Sequence, residues 1–359
     1  GQHSFVSTLQ ADASLSADEL FLVLNECTLR IRSNSTALLA DLAGYFSHVA
    51  SDPVTPDIDI VAIERDAPEL DLDFIDWKRE PGKTGRKDSY VDLPGGRLIR
   101  KLRTGMVFLQ SESRRIAAGP CLKYSSQVIN FINSQYMNWL QNRGWLICHA
   151  AGLVYRGKGL GIAGFPGAGK STLVLHLMED DDVSFLTNDR LFIHAGSGPV
   201  LARGIPKLPR INPGTIVHNA RLHSLIPAPQ RKVLLRMPTG ELWDLEEKYD
   251  VPVDRVFGSG RIQQETPLAA FLILDWQHDS ERELQVERIE LAERRDLLEA
   301  LMKSPGPFYQ FPDGSFEQDT TSLDDSVYLD ALDGVAVYVA MGRVVFPALS
   351  ERCLQKILA

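Results

Sequence analysis

The chain is poor in the features that mark several whole classes of protein. It has only 4 cysteines in 359 residues. Cys27, Cys121, Cys148 and Cys353 are scattered and form no C-x-x-C pair, which argues against a disulfide framework and a cysteine zinc site. No apolar run approaches the ~20 residues that a helix needs to cross a bilayer. An excess of positive charge is also missing. Lysine and arginine number 38 against 47 acidic residues, a net charge of −9, which argues against nucleic acid and anionic membrane as partners. No signal-peptide pattern is visible, so the expectation is a cytoplasmic protein.

What is present is a soluble composition, 44% hydrophobic and 24% charged, in a chain long enough for two domains. Within it, Gly164-Phe165-Pro166-Gly167-Ala168-Gly169-Lys170-Ser171-Thr172 fits G-x-x-x-x-G-K-[ST], the pattern of a phosphate-binding loop. Glycines let the backbone curl so that successive N–H groups face phosphate oxygens. Lys170 supplies charge for the β and γ phosphates, and Ser171 is placed to ligate Mg²⁺. Residues 160–163 read as a buried strand and 172–179 as a helix, so strand, loop and helix come in the order the chemistry requires.

Residues 1–20 are polar and Ser/Ala-rich and read as a flexible arm. Residues 21–24 and 27–31 read as paired strands joined at Asn25-Glu26. Ser35 is placed to cap a helix running to Phe46. Residues 58–63 are a strand, 65–88 a surface loop region, and 89–118 an antiparallel meander. A helix over 125–140 links the halves. The domain expectation is an N-terminal α+β domain over 21–144 and a catalytic domain over 145–359. Residues 211–256 form an insertion that reads as a solvated excursion; a basic cluster of Arg221, Arg231, Lys232 and Arg236 that receives an acidic or phosphate-bearing acceptor is the alternative. Residues 281–302 read as a strand and an amphipathic helix, and 335–346 as a closing hairpin.

Two polar residues stand out near the loop. If 145–155 pairs with 159–164 about residue 157, His149 falls opposite residue ~165, at the mouth of the loop; a packed core histidine is the alternative. Residues 183–187 form the next strand, and Asn188-Asp189 follow at its carboxyl end, where ligand groups gather in open α/β sheets. Asp189 there suits a metal ligand, a base for an incoming hydroxyl, or both.

Three segments, His149 with its hairpin, Gly164–Thr172 and Thr187-Asn188-Asp189-Arg190, resemble the catalytic domain of the HPr kinase/phosphorylase family, and most closely the bacterial HprK-related kinase B proteins. Arg203–Asn212 and Phe257-Gly258-Ser259-Gly260-Arg261 are similar to two further family stretches. The resemblance covers residues ~145–350. It implies an α/β fold of the HPr kinase/PEP carboxykinase type with a mixed sheet. It also implies ATP or another nucleoside triphosphate as donor, Mg²⁺ held by Ser171 and Asp189, and a serine hydroxyl on a small carrier protein as acceptor. Lys170, His149 and Asp189 take catalytic roles, and Asn188, Arg203 and Arg261 auxiliary ones. The family tends to form homo-oligomers. This chain departs from the family at Asn188, where the family has a first aspartate, and near Leu201, where it has a glutamate.

The function expected is therefore transfer of the γ-phosphoryl group to a hydroxyl of a protein, peptide or small molecule. The alternatives are an ATP-binding or ATP-hydrolysing switch and a degenerate kinase without phosphotransfer.

Overall fold

The structure is a computed structural model that describes residues 2–11, 13–79, 84–245, 247–277 and 279–359. The chain is mixed α/β, with two large mixed sheets. It divides into two compact units, one formed by residues up to Trp145 with Ser304–Leu323, the other by Leu146–Lys303 with the residues from Asp324 onward. The sequence expectation kept 145–359 together, whereas the chain leaves the second unit at Lys303 and re-enters it at Asp324.

The first unit is built on a nine-stranded sheet. Glu19–Leu24 and Cys27–Ser33 pair antiparallel about Asn25, whose φ of 55° closes the two-residue turn. Ser35 accepts the Leu38 N–H and starts the helix Thr36–Tyr45, whose Leu38, Leu39 and Leu42 face the core. Ile58–Glu64 joins Cys27–Ser33 and Arg115–Gly119 in parallel, and the meander over residues 88–119 completes the sheet. Two residues of the expected loop, Ile75 and Asp76, add a short edge strand; residues 80–83 of that loop lie outside the described residues.

The flexible arm expected over 1–20 is corrected. Gln2–Gln10 is a helix, although Gly1 and Asp12 lie outside the described residues. Its Leu9 is buried with Phe5 and Val6 packed beside it, and Arg65 closes its end by donating to Thr8 O at 2.6 Å. Burying one leucine contributes about 1.5–3 kcal/mol toward docking a segment that is polar on average.

Arg97 organises the return segment of this unit. Its side chain is fully buried, paired with Asp92 at 2.5 Å, and it donates to Pro307 O and Glu317 O at 3.2 and 2.9 Å. The rings of Tyr90 and Phe316 lie 4.4 and 4.7 Å from its guanidinium carbon. A buried charge needs such partners on every side to be tolerated.

In the second unit Ala151–Tyr155 and Lys158–Gly164 form the expected hairpin, in the register Ala151↔Ile162 and Tyr155↔Lys158. Val183–Thr187 pairs antiparallel with the other edge of Ala151–Tyr155. Lys158–Gly164 and Val183–Thr187 thus run in the same direction, and their carboxyl ends lie at one edge. The long strand Glu265–Leu274 lies parallel to Lys158–Gly164 and also pairs with Leu201–Arg203 and Ala336–Met341.

Three expectations are corrected here. The insertion is no solvated excursion: Ile211, Ile216, Val217, Leu222, Ile226 and Leu234 are buried in one core cluster with Leu173, Val174 and Leu177 of the helix Lys170–Leu177. The amphipathic helix before Met302 is two 3-10 turns, Leu291–Glu293 and Arg295–Ala300, after the strand Gln285–Ile289. The closing hairpin is a single strand, Ala336–Met341, and Phe346 begins a helix, Phe346–Arg352. No helix among the described residues is long and apolar enough to cross a membrane.

Candidate active site around the glycine-rich loop

The strand Lys158–Gly164 ends in a loop that turns directly into the helix Lys170–Leu177. The turn needs glycine: Gly167 and Gly169 both have φ of 81°, a region in which a Cβ is strained. Ala168 N–H closes the loop on Phe165 O at 3.0 Å, and Leu173 N–H makes the first helical bond to Gly169 O at 2.9 Å. Trp276 pins the loop from beneath, its indole N–H donating to Ala168 O at 2.7 Å. Lys170 folds back across the loop and donates to Gly164 O at 3.1 Å. Burial pushes the Lys170 ammonium below its ordinary pKa, opposed by the charge of Asp189. An anion bound in the loop would relieve that cost.

Ser171 lies one residue further and donates its hydroxyl to Asn188 Oδ1 at 3.1 Å. This bond joins the loop helix to the residue that follows Val183–Thr187. The sequence reading placed both residues at one edge; the structure brings them into contact.

Asp189, next in the chain, accepts from His149 Nε2 at 3.1 Å and pairs with Arg190 through its other oxygen. Burial pushes the Asp189 carboxyl up. The charge of Arg190, the His149 hydrogen bond and charge, and the charge of Lys207 outweigh it and hold the group well below the usual carboxylate range. Asp189 therefore stays ionised at neutral pH, as an anchored acceptor and a weak base.

The strand pairing that delivers His149 differs from the expected one. The hairpin pairing stops at Ala151. Before it, Leu146–Cys148 crosses to Leu191–His194, with Cys148 opposite Leu191. Antiparallel pairing at that step carries His149 back toward Arg190 and Asp189. His149 N–H donates to Leu301 O at 2.8 Å, which fixes its backbone.

The two auxiliary arginines are occupied structurally. Arg203 pairs with its cross-strand neighbour Glu265 at 2.6 Å. Arg261 donates to Val183 O, Met178 O, Asp180 O and Phe257 O at 2.6, 2.9, 2.7 and 3.2 Å, so it ties the glycine turn before it to the end of the loop helix. Neither is brought to the loop by these bonds. The sequence reading gave no role to Arg190, Lys207 or Trp276, although Arg190 and Lys207 lie in segments that resemble the family's. Arg190 could have been found from its adjacency to Asp189; Lys207 and Trp276 carry no further local signal, because the fold alone brings them to the site.

No family model matches the chain, and no curated protein matches it in sequence. Among solved structures the chain is similar to the Hpr(Ser) kinase/phosphatase from Coxiella burnetii, at 12% identity and a TM-score of 0.29, over 58% of this chain and 93% of that one. A likeness that loose carries no argument about activity, which rests on the residues themselves.

Proposed function

We propose that the chain is a kinase that moves the γ-phosphoryl group of ATP, or another nucleoside triphosphate, to a hydroxyl acceptor: a serine of a protein or peptide, or an alcohol of a small molecule. The observation that carries this is the link from Lys170-Ser171 through the Ser171–Asn188 bond to the ionised Asp189. A donor-binding loop and an acceptor-binding carboxylate thereby share one edge of the sheet.

The donor set suits Mg²⁺. A hydroxyl from Ser171, an amide oxygen from Asn188 and a carboxylate from Asp189 are hard oxygens, and Mg²⁺ takes few protein ligands beside water and phosphate. Ser171 and Asp189 would hold it, and when bound it supplies neutralisation of phosphate charge. The chain's own residues do the rest. Loop N–H groups and Lys170 hold the phosphates. Asp189 accepts the hydrogen bond of the incoming hydroxyl and aims its oxygen at phosphorus. A strong base is unnecessary, because in a loose transition state the hydroxyl proton leaves late. His149, bonded to Asp189 through Nε2, holds the carboxylate in position.

The test uses γ-labelled ATP, Mg²⁺ and fractionated lysate of the source organism, with Lys170→Ala and Asp189→Asn beside wild type. Label in an acceptor that depends on both residues is the expected result. Release of free phosphate alone, insensitive to Asp189→Asn, would overturn the kinase reading.

A further inference from the structure

Beside the glycine-rich loop lies a cavity of about 950 Å³, at the upper end of the ≈300–1,000 Å³ range for small-molecule sites. Its floor is one face of the loop helix, where Thr172, Leu175 and His176 recur at helical spacing, with Glu179 just past the helix end. The opposite wall is Thr215 to Arg221, from the insertion that covers this helix. Phe346 stands at the end nearest the loop.

Phe346 marks the junction. A Cβ placed on Gly169 would meet its ring at 2.7 Å, so the ring abuts the last residue of the loop. The Phe346 and His176 rings lie parallel, 4° apart in plane with centroids at 5.5 Å, and Trp276 backs Phe346 edge-on at 5.0 Å. The result is an offset-stacked aromatic wall, one ring face outward, that starts where the loop ends. Burial against the opposing pull of Glu179 lowers the His176 pKa and keeps that ring neutral at pH 7. At the far end Arg221 Nε and Glu179 Oε2 pair at 2.9 Å, and Asn219 accepts the Arg221 N–H through Oδ1, which leaves its amide N–H₂ directed by a fixed cap. An apolar π-faced wall with a few placed polar groups suits an aromatic heterocycle better than a lipid or a sugar.

We propose that this cavity binds the nucleoside part of the phosphoryl donor, with a purine base stacked on the Phe346–His176 wall and its polar edge toward Asn219. The proposal rests on the kinase reading for the identity of the phosphate-bearing ligand. It assigns the insertion a role: Thr215 to Arg221 complete the donor site. Stacking of a base on an aromatic side chain corresponds to about tenfold or more in affinity, and the larger π-face of a purine favours it over a pyrimidine.

The test is equilibrium binding by calorimetry with Mg²⁺, using ATP, GTP, CTP and inorganic tripolyphosphate, which carries the phosphates with no nucleoside. Wild type is expected to bind ATP and GTP at least about tenfold tighter than tripolyphosphate, and CTP in between. Phe346→Ala should bring ATP to within about threefold of tripolyphosphate while tripolyphosphate binding stays unchanged. Because Phe346 also abuts the loop, Ala220→Trp serves as a second variant that fills the cavity from the insertion side, and it should have the same selective effect. Tripolyphosphate binding with no preference for ATP, or a preference untouched by both variants, would overturn the cavity assignment alone. Failure of wild type to bind either ATP or tripolyphosphate would overturn the kinase reading and this one with it.

Discussion

Gly204 is the position where a single methyl group should do most damage. It follows the strand Leu201–Arg203 and passes against the end of Val183–Thr187. A Cβ there would sit 1.9 Å from Leu186 O, 2.7 Å from Leu186 C and 3.1 Å from the Thr187 Cβ. Two of those atoms are backbone, so no rotamer relieves the clash. Ordinary contact near 3.5 Å requires the two segments to part by about 1.5 Å. Overpacking of that kind costs about 1–3 kcal/mol, and each backbone hydrogen bond lost with it adds about 1 kcal/mol. Gly204 N–H donates to Gln264 O at 3.2 Å, and this bond is the first at risk. The expected total for Gly204→Ala is about 2–4 kcal/mol, or a fall in Tm of about 4–16 °C for a unit of this size. Differential scanning calorimetry measures it, with Gly198→Ala as the control because a Cβ at Gly198 meets nothing within 4 Å. Asn188 and Asp189 sit just beyond Thr187, so the nucleotide affinity that the proposed function requires should fall as well. A Gly204→Ala protein that melts within about 1 °C of the Gly198→Ala control would refute the reasoning.

Arg261→Ala should lower stability by about 2–4 kcal/mol, since it strands carbonyl oxygens that now share one charged donor, while Lys at the same position recovers only part because an ammonium cannot span four acceptors; urea midpoints of the two variants test this. For Asp189 the sign follows from its depressed folded pKa: the stability it contributes is full above the unfolded carboxyl value and is lost as pH falls toward the folded one. Urea titrations should therefore show the gap between wild type and Asp189→Asn constant from about pH 7 to 5 and closing below about pH 4. A gap that closes between pH 7 and 5 would overturn this account of the carboxyl.

Local signals were readable wherever one short stretch determines the outcome. Ser35 caps its helix because a hydroxyl there meets an N–H three residues on. The 151–164 hairpin forms because two apolar runs flank Arg156-Gly157, both at positive φ. The loop at Gly164–Lys170 needs glycine at two left-handed positions, and the sequence supplies both. Misreadings arose where partners are remote. The first helix looks polar because its apolar residues are few, yet its Leu9 is fully buried. The insertion looked solvated because its isoleucines and leucines lie apart in sequence and meet only over the loop helix. His149 was expected beside the loop through the hairpin; it reaches Asp189 through a different strand pairing, Cys148 opposite Leu191.

The path of residues 304–323 bears on how the chain is made. The first unit contains that segment. Phe308 packs its ring 5.6 Å from both Phe108 and Phe131, and Arg97 finds its carbonyl acceptors at Pro307 and Glu317. During synthesis none of these groups exists until most of the second unit has already left the ribosome. Until then the guanidinium of Arg97 and one side of the Phe108–Phe131 pair wait without the segment that covers them. Domains generally complete themselves from the N-terminus onward. Here the earlier-made unit is the one that must wait, and a fragment ending at Trp145 would carry a lasting vacancy where its own later residues belong.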